Sequence, residues 1–445
     1  MRHTNILKLV ALGLSLSFLT PTSSASAADE PSKLTTESAT FELAGIRSQK
    51  QIVVTGQFGG EVRDVTHLAK LTSSDEKIVK LEGSIARPVG DGAAKIACQL
   101  GAQTVVIDVV VKGTSVPHPV SFKNETLAAL SKAGCNSGAC HGSPSGKGGF
   151  RLSLRAFDPP LDILTLRSEF FGRRTNSLNP NESLLLQKPL MEVAHGGGRR
   201  LKKGEPAWQA LHNWIGEGLQ VDKPETPSLT RIEILPRKRV LRDASDRQQL
   251  SVNGFFSDGT VRDLTALTVF TSSNESVASV NNNGLVEKTG RGETAILGRY
   301  LDGMATADVT FLEEVPGFKW SNPPENNFVD THSFNKLKQL QILPSDVCTD
   351  EEFLRRAYLD LTGRLPRIDE TQAFLASAVG DRRTKLIDTL LEADDFAEFW
   401  TLKWSDILRS NSKKLTTTGV HKFQRWVYDG IRTDKGIDEL AHELL

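Results

Sequence analysis

Cys135 and Cys140 have four residues between them, and His141 follows the second thiol directly. Two thiols can form thioethers to the vinyl groups of a haem, and a histidine beside the second can reach the iron. The usual spacing is C-x-x-C-H, and here the interval is two residues longer. The added residues fall among Asn136, Ser137 and Gly138, types that favour turns and can bulge without moving either sulfur. Two rival chemistries use the same side chains. An oxidising compartment would let Cys135 and Cys140 close a short disulfide. A zinc ion needs four nitrogen or sulfur ligands, and beyond this trio only His195 and His212 are near, at unhelpful spacing.

A second haem-iron ligand is normally methionine or histidine. The stretch LLLQKPLMEVAHGGGRR supplies Met191 and His195, 50 and 54 residues after His141. His195 is the expected ligand, because Gly196, Gly197 and Gly198 let the backbone approach a ring closely. Met191 has an alternative reading as a gap-filler among leucines. Arg199 and Arg200 are candidate partners for haem propionates, or simply a solvated basic face. Other motifs in this glycine-rich region fail. GSPSGKGG lacks the first glycine of a phosphate loop and has Gly148 where Ser or Thr is required. HGGG at His195 has the form of a lipase oxyanion loop, but no G-x-S-x-G elbow occurs in the chain.

Helices must position these groups. ETLAALSKAGC puts Leu127, Leu130 and Ala133 on one face of a helix leading into Cys135. EPAWQALHNWIGEGL puts Trp208, Leu211, Ile215 and Leu219 on one face of a second helix. A first helix ending at the cysteines and a last one packing back on it would give a small all-α, cytochrome-c-like domain over 121–222.

On either side the period changes. VTGQFGGEVRDVTHLAKLTSSDEKIVKLE from Val54 and VNGFFSDGTVRDLTALTVFTSSNESVASVN from Val252 repeat each other about 200 residues apart. Short β-branched runs between Gly, Asn and Asp turns predict two β-sandwiches, over 34–113 and 229–314. Their DGTVRDLT and FTSSN elements resemble the bacterial Ig-like group 2 domain, which implies a spacer or adhesion module. The shared polar residues read as turn and strand-end chemistry. Proline-containing joints at 113–121, 221–230 and 315–327 separate the modules.

From 325 to 445 the chain is expected to be helical. Thr349 with Glu352 forms a capping box, and Asp381 is expected to cap another helix. Phe396, Phe399, Trp400, Trp404, Ile407 and Leu408 recur at helical spacing and read as core. Asp350, Glu351, Glu352, Asp360 and Asp369 sit where helix caps belong, so no catalytic constellation emerges. DKGIDELAHELL reads as a helix in progress at the last residue, so this domain is expected to be truncated.

Residues 1–27 have the layout of a secretory signal: Arg2 and Lys8, an apolar run from Leu9 to Leu19, then Ala25-Ser26-Ala27. Export to the periplasm or cell surface is expected, with no membrane span in the mature chain. The 54 basic and 54 acidic residues of the 445 give no sign of a nucleic-acid partner. Cys98 and Cys348 read as small buried hydrophobes.

AGCNSGACHGSPSGKGGFRLSLRAFDP, LLLQKP with HGGGRRL, and EEFLRRAYLDLTGRLP resemble a family of large exported planctomycete proteins. That family combines a cytochrome-c-like module, Ig-like group 2 domains and a helical domain of unknown function. The resemblance implies covalent haem c on Cys135 and Cys140, with His141 and either His195 or Met191 on the iron. The haem reading of the residues gives electron transfer at or near the cell surface, with an unidentified redox partner; the resemblance itself gives the architecture. The alternative is a haem-free structural or adhesive surface protein with a Cys135–Cys140 disulfide.

Overall fold

The computed structural model describes residues 30–242 and 245–445, so the expected signal at 1–27 lies outside the described residues. The chain divides between Lys319 and Trp320 into two compact units. Among the described residues, no helix is long and apolar enough to cross a membrane.

The first unit opens with a sandwich of three small sheets. One runs β1 (Lys33–Thr36), β4 (Val54–Phe58), β5 (Glu61–Asp64). The second runs β2 (Thr40–Ala44), β10 (Gln103–Lys112), β9 (Gly92–Leu100), β6 (Lys70–Ser73). The third is β3 (Lys50–Gln51), β8 (Ile85–Pro88), β7 (Val79–Glu82). Strand alternation decides the inner face: Ile107, Val109 and Val111 of β10 are buried, while Val106 and Val110 face outward. Cys98 lies fully buried among them, and burial pushes its thiol up to about 11. It behaves as a small hydrophobe, whereas Cys348 is only half-buried.

The second sandwich repeats this strand order. Its sheets are β11 (Leu229–Leu235), β14 (Ser251–Phe256), β15 (Val261–Asp263), and β12 (Lys238–Leu241), β20 (Gly303–Phe311), β19 (Gly292–Tyr300), β16 (Val269–Ser272). The last is β13 (Arg247–Gln249), β18 (Leu285–Lys288), β17 (Ala278–Val280). Each copy has the same local device. The Asp64 carboxylate accepts the Thr66 N–H at 2.8 Å, and Asp263 accepts that of Thr265 at 2.9 Å. Thr66 Oγ1 in turn accepts the Val54 N–H at 2.9 Å, and Thr265 Oγ1 that of Val252 at 2.8 Å.

The other oxygen of each aspartate crosses to the opposite copy. Asp263 Oδ2 accepts the Gln51 N–H at 2.9 Å, and Asp64 Oδ2 accepts the Gln249 N–H. Gln51 and Gln249 hold equivalent positions in the repeat, so the contact is reciprocal, as across a two-fold interface. Turn chemistry therefore describes only half of what the repeated aspartates do.

Between the sandwiches, the segment expected as an all-α domain has short helices instead: α1 (Leu127–Lys132), α2 (Pro159–Arg167), α3 (Leu184–Leu190) and α4 (Pro206–Gly216). No helix occurs between Lys132 and Leu154, where six glycines and Pro144 interrupt any helical run. The cytochrome-like all-α expectation is corrected to a loop-rich helical insert. It is also not set apart by its proline joints. Tyr300 donates to the Asn124 carbonyl, Ala128 joins the second sandwich's core, and Arg47 of the first sandwich pairs with Glu125 at 3.3 Å. The insert has its own core of Leu127, Leu130, Leu152, Leu186, Leu211 and Trp214.

The second unit is helical, with α5 (Phe328–Gln339), α6 (Asp350–Thr362), α7 (Ile368–Ala376), α8 (Arg382–Leu391), α9 (Asp394–Ile407), α10 (Ser412–Arg432) and α11 (Ile437–Leu444). The Thr349–Glu352 capping box forms. Asp381 precedes α8 without a capping bond from its side chain. The aromatic stripe of α9 is not core: its aromatics are half-buried, Ile407 is exposed, and small Ala397, Thr401 and Ser405 form the buried line. Here the core is Leu354, Tyr358, Phe374 and Leu390. Arg364 clamps this unit, donating to both oxygens of Glu370 at 2.9 Å and to Asp395 at 2.6 Å.

Two predictions follow from these clamps. Asp64→Ala or Asp263→Ala leaves buried N–H groups unpaired and should cost about 1–3 kcal/mol each. The pair should be non-additive in urea unfolding, because both bonds span one interface; wild-type stability in both single variants would exclude the clamp. In the helical unit, Arg364 hydrogen bonds lower the Glu370 pKa from 4.5 to about 2. Its contribution is complete above pH 4.5 and is lost as the pH falls toward 2. Glu370→Gln should therefore flatten the loss of thermal stability over that window.

Candidate functional site

The cysteine loop is shaped by its own backbone. Cys135 N–H continues from α1 to the Leu130 carbonyl, and the Ser137 carbonyl accepts from both Cys140 and Gly142 at 3.0 Å. This turn absorbs the two added residues, and His141 N–H returns to the Cys135 carbonyl at 2.9 Å. Asn136 is buried and donates to Ser131 Oγ at 2.8 Å. Gly142 is obligatory, since a Cβ there would lie 2.2 Å from the Asn136 carbonyl oxygen. Leu152 N–H then bonds the His141 carbonyl at 2.8 Å, and buried Asp162 holds Ser153 through both its N–H and hydroxyl at 2.6 Å.

His141 Nδ1 lies 2.9 Å from the Phe150 carbonyl, and His195 Nδ1 lies 2.8 Å from the Gly198 carbonyl. A carbonyl oxygen only accepts, so each Nδ1 carries a proton. The two rings are 6.4 Å apart between centroids, with planes 16° from parallel. The glycines after His195 have the role their types suggest. A Cβ on Gly197 would sit 2.8 Å from His195 Cε1, and Gly198 adopts φ 70°.

Burial lowers the pKa of His141, with the Phe150 carbonyl opposing and His195 adding to the shift. The shift favours the neutral ring, the form in which a nitrogen can ligate iron. Cys135 is half-buried; desolvation first, then nearby Cys140, push its thiol up to about 12, while Arg200 acts the other way. Both thiols are free. Arg199 and Arg200 are both exposed, and Arg200 donates through Nε to the Gly197 carbonyl at 2.9 Å.

Met191 is not grouped with these residues. It ends α3 at φ 65° and is 44 % exposed, so it does not fill the leucine core. His212 stacks on Trp208 at 4.6 Å instead of joining the histidine pair. Among the described residues, no three His, Cys, Asp or Glu side chains form a group able to hold a metal ion. Two imidazoles are too few for bare zinc. They suit an iron whose other nitrogens come from a porphyrin.

Several supporting residues carry no sequence signal. Phe150 places its ring 4.4 Å from that of His141, and Arg174 lies 4.6 Å over Phe150 while donating to the Thr165 carbonyl. Trp214, fully buried and 5.3 Å from Phe122, joins the last helix to the first. Leu219, expected on that helix face, lies beyond its end at φ 59°. Trp208 has a buried Nε1 with no protein acceptor among the described residues.

Residues 328–445 match a family model described as PSCyt2, a protein of unknown function (DUF1549). No curated protein matches the chain. Solved structures that align include domains 5–6 of the S-layer protein SbsC, at 12 % identity and TM-score 0.26, covering 63 % of this chain and 97 % of that one. Neural ectodermal development factor IMP-L2 aligns at 11 % identity and TM-score 0.22, covering 64 % and 96 %. Titin Ig tandem domains A164–A165 align at 7 % identity and TM-score 0.14, covering 64 % and 98 %. The β-sandwich description rests on the repeated strand order itself.

The environment of Cys135 generates a direct test. Because its thiol is pushed up to about 12, haem-free protein at neutral pH should alkylate at Cys135 far more slowly than an unstructured cysteine does. Mass spectrometry over time should show wild-type protein and Cys140→Ser sharing this slow site. Rapid labelling of Cys135 in Cys140→Ser would contradict the buried environment.

Proposed function

We propose that this chain is an exported structural component of the cell surface whose helical insert carries one c-type haem for electron transfer. The two clamped sandwiches form a stiff frame, and the insert packs against both. Cys135 and Cys140 would hold the haem covalently, and His141 and His195 would ligate its iron. The observation carrying this reading is the imidazole pair: near-parallel rings, each oriented at Nδ1 by a backbone carbonyl.

When bound, the haem supplies a one-electron couple. The chain's residues orient both imidazoles through Nδ1 before iron arrives. Phe150 and Arg174 shield one ring, and the glycine turn at 196–198 seats the other. Arg200, electrostatically coupled to Cys135, is the better placed of the two arginines to face haem carboxylates.

A second reading keeps the frame but not the haem: Cys135 and Cys140 close a disulfide, and the protein is purely structural. Both thiols are free and close the same short turn, so this option uses the same side chains. Haem staining of a denaturing gel separates the two. Protein made in a host that matures c-type haems should stain, and Cys140→Ala should not, while both keep folded sandwiches. An unstained wild-type band would remove the electron-transfer reading and leave the structural one.

The ligand assignment has its own test. His195→Ala should turn the iron high-spin, and Met191→Leu should leave the spectrum unchanged. The weak near-infrared band of iron–methionine bonding should be missing from the oxidised protein. The opposite pattern would transfer the axial role to Met191.

A further inference from the structure

The cysteine loop has an outer face that the haem reading leaves unused. There, Gly134, Asn136, Ser137 and Gly138 border a cavity of about 470 Å³, closed on the other side by Val269 and Arg299 of the second sandwich. Its charged lining is Lys132, Arg155 and Arg299, and no carboxylate lines it. Among the described residues, none of these three cations forms a salt bridge. Lys132 Nζ instead donates to the Thr268 and Asn282 carbonyls, spanning from the insert to the sandwich. Arg299 has one long bond, 3.4 Å from Nη1 to the Leu301 carbonyl.

Arg155 is exposed, while Lys132 and Arg299 are half-buried. Desolvation lowers the Arg299 pKa, and the neighbouring Arg155 lowers it further. Burial brings Lys132 down to about 8, with only Glu205 opposing. Arg155 also holds a left-handed backbone conformation, φ 55° and ψ 34°, which non-glycine residues avoid. Its N–H is tied to the Asn136 carbonyl at 3.0 Å, so the strained residue is fastened to the loop that walls the cavity. Strain and unpaired like charge held together in a cleft mark a place where a ligand completes the structure.

We infer that this cavity binds a small organic oxyanion, a carboxylate, phosphate or sulfate ester, held by Arg155 and Arg299. Guanidinium groups match oxyanions with paired hydrogen bonds, and the half-buried Ser137 offers a neutral donor. The volume exceeds that of a bare inorganic ion and falls within the range of small-molecule sites. Neither His141 nor His195 lines the cavity, so the site stands whether or not haem is attached.

Calorimetric titration of the whole protein with sodium phosphate, sodium sulfate and disodium succinate tests this, against sodium chloride at matched ionic strength. At least one dianion should bind saturably at one site while chloride does not. Arg299→Gln and Arg155→Asn should each weaken that binding about tenfold or more, the loss of one charge-assisted contact. Asparagine tolerates the left-handed conformation, so Arg155→Asn keeps the loop even if Arg299→Gln disturbs the sandwich. No saturable binding by any dianion, or binding unchanged in Arg155→Asn, would overturn the proposal.

Discussion

The first unit is organised by two carboxylates that each serve two backbones. Asp64 and Asp263 hold a turn in their own sandwich with one oxygen and the equivalent strand of the other sandwich with the second. A backbone N–H buried without a partner is costly, so each strand end is satisfied only while the other copy is in place. The pairing thereby fixes one sandwich against the other through polar groups that require a specific register. Arg239 reinforces it, reaching Glu37 and Thr55 of the first copy at 2.9 and 3.0 Å.

The insert depends on that frame. Its two ends are tied together where Glu217 accepts the Val120 N–H at 2.6 Å and Asp222 accepts those of Phe122 and Lys123. Chain closure at this point lets a segment with little regular structure hold a defined shape, because its middle need only fold between fixed ends. The helices supply the apolar wall, and the glycine-rich loops supply carbonyls. Those carbonyls orient the imidazoles. Rings held by main chain are positioned by the fold itself, not by another mobile side chain.

What was legible in the sequence follows from how local each signal is. The repeat exposed both sandwiches, because strand alternation and turn residues act over a few positions. Leu127, Leu130 and Ala133 were placed correctly on a buried face by helical spacing alone. Gly197 packs against the ring of His195 itself, a local contact that the glycine run allows. The partners of the repeated aspartates were invisible, since Gln51 and Asp263 lie 212 positions apart. Periodicity also misled in α9, where bulky aromatics at helical spacing stay half-buried and small residues allow close helix packing. Phe150 and Arg174 could not be found from spacing, because their role arises where two loops meet.

The cysteine loop brings these threads to one physical point. Its inner side presents a thiol held neutral by burial near a neutral imidazole, and its outer side meets three cations. One short turn separates the two environments, and Asn136 sits buried at the boundary, bonded back to Ser131 of the first helix. Inserting two residues into a C-x-x-C-H spacing would ordinarily loosen the histidine's position relative to the thiols. Here the double acceptance by the Ser137 carbonyl takes up the extra length, and the Cys135 carbonyl holds the His141 N–H at 2.9 Å. The longer spacing thus adds an outer wall to the loop while leaving the thiol–imidazole geometry under backbone control.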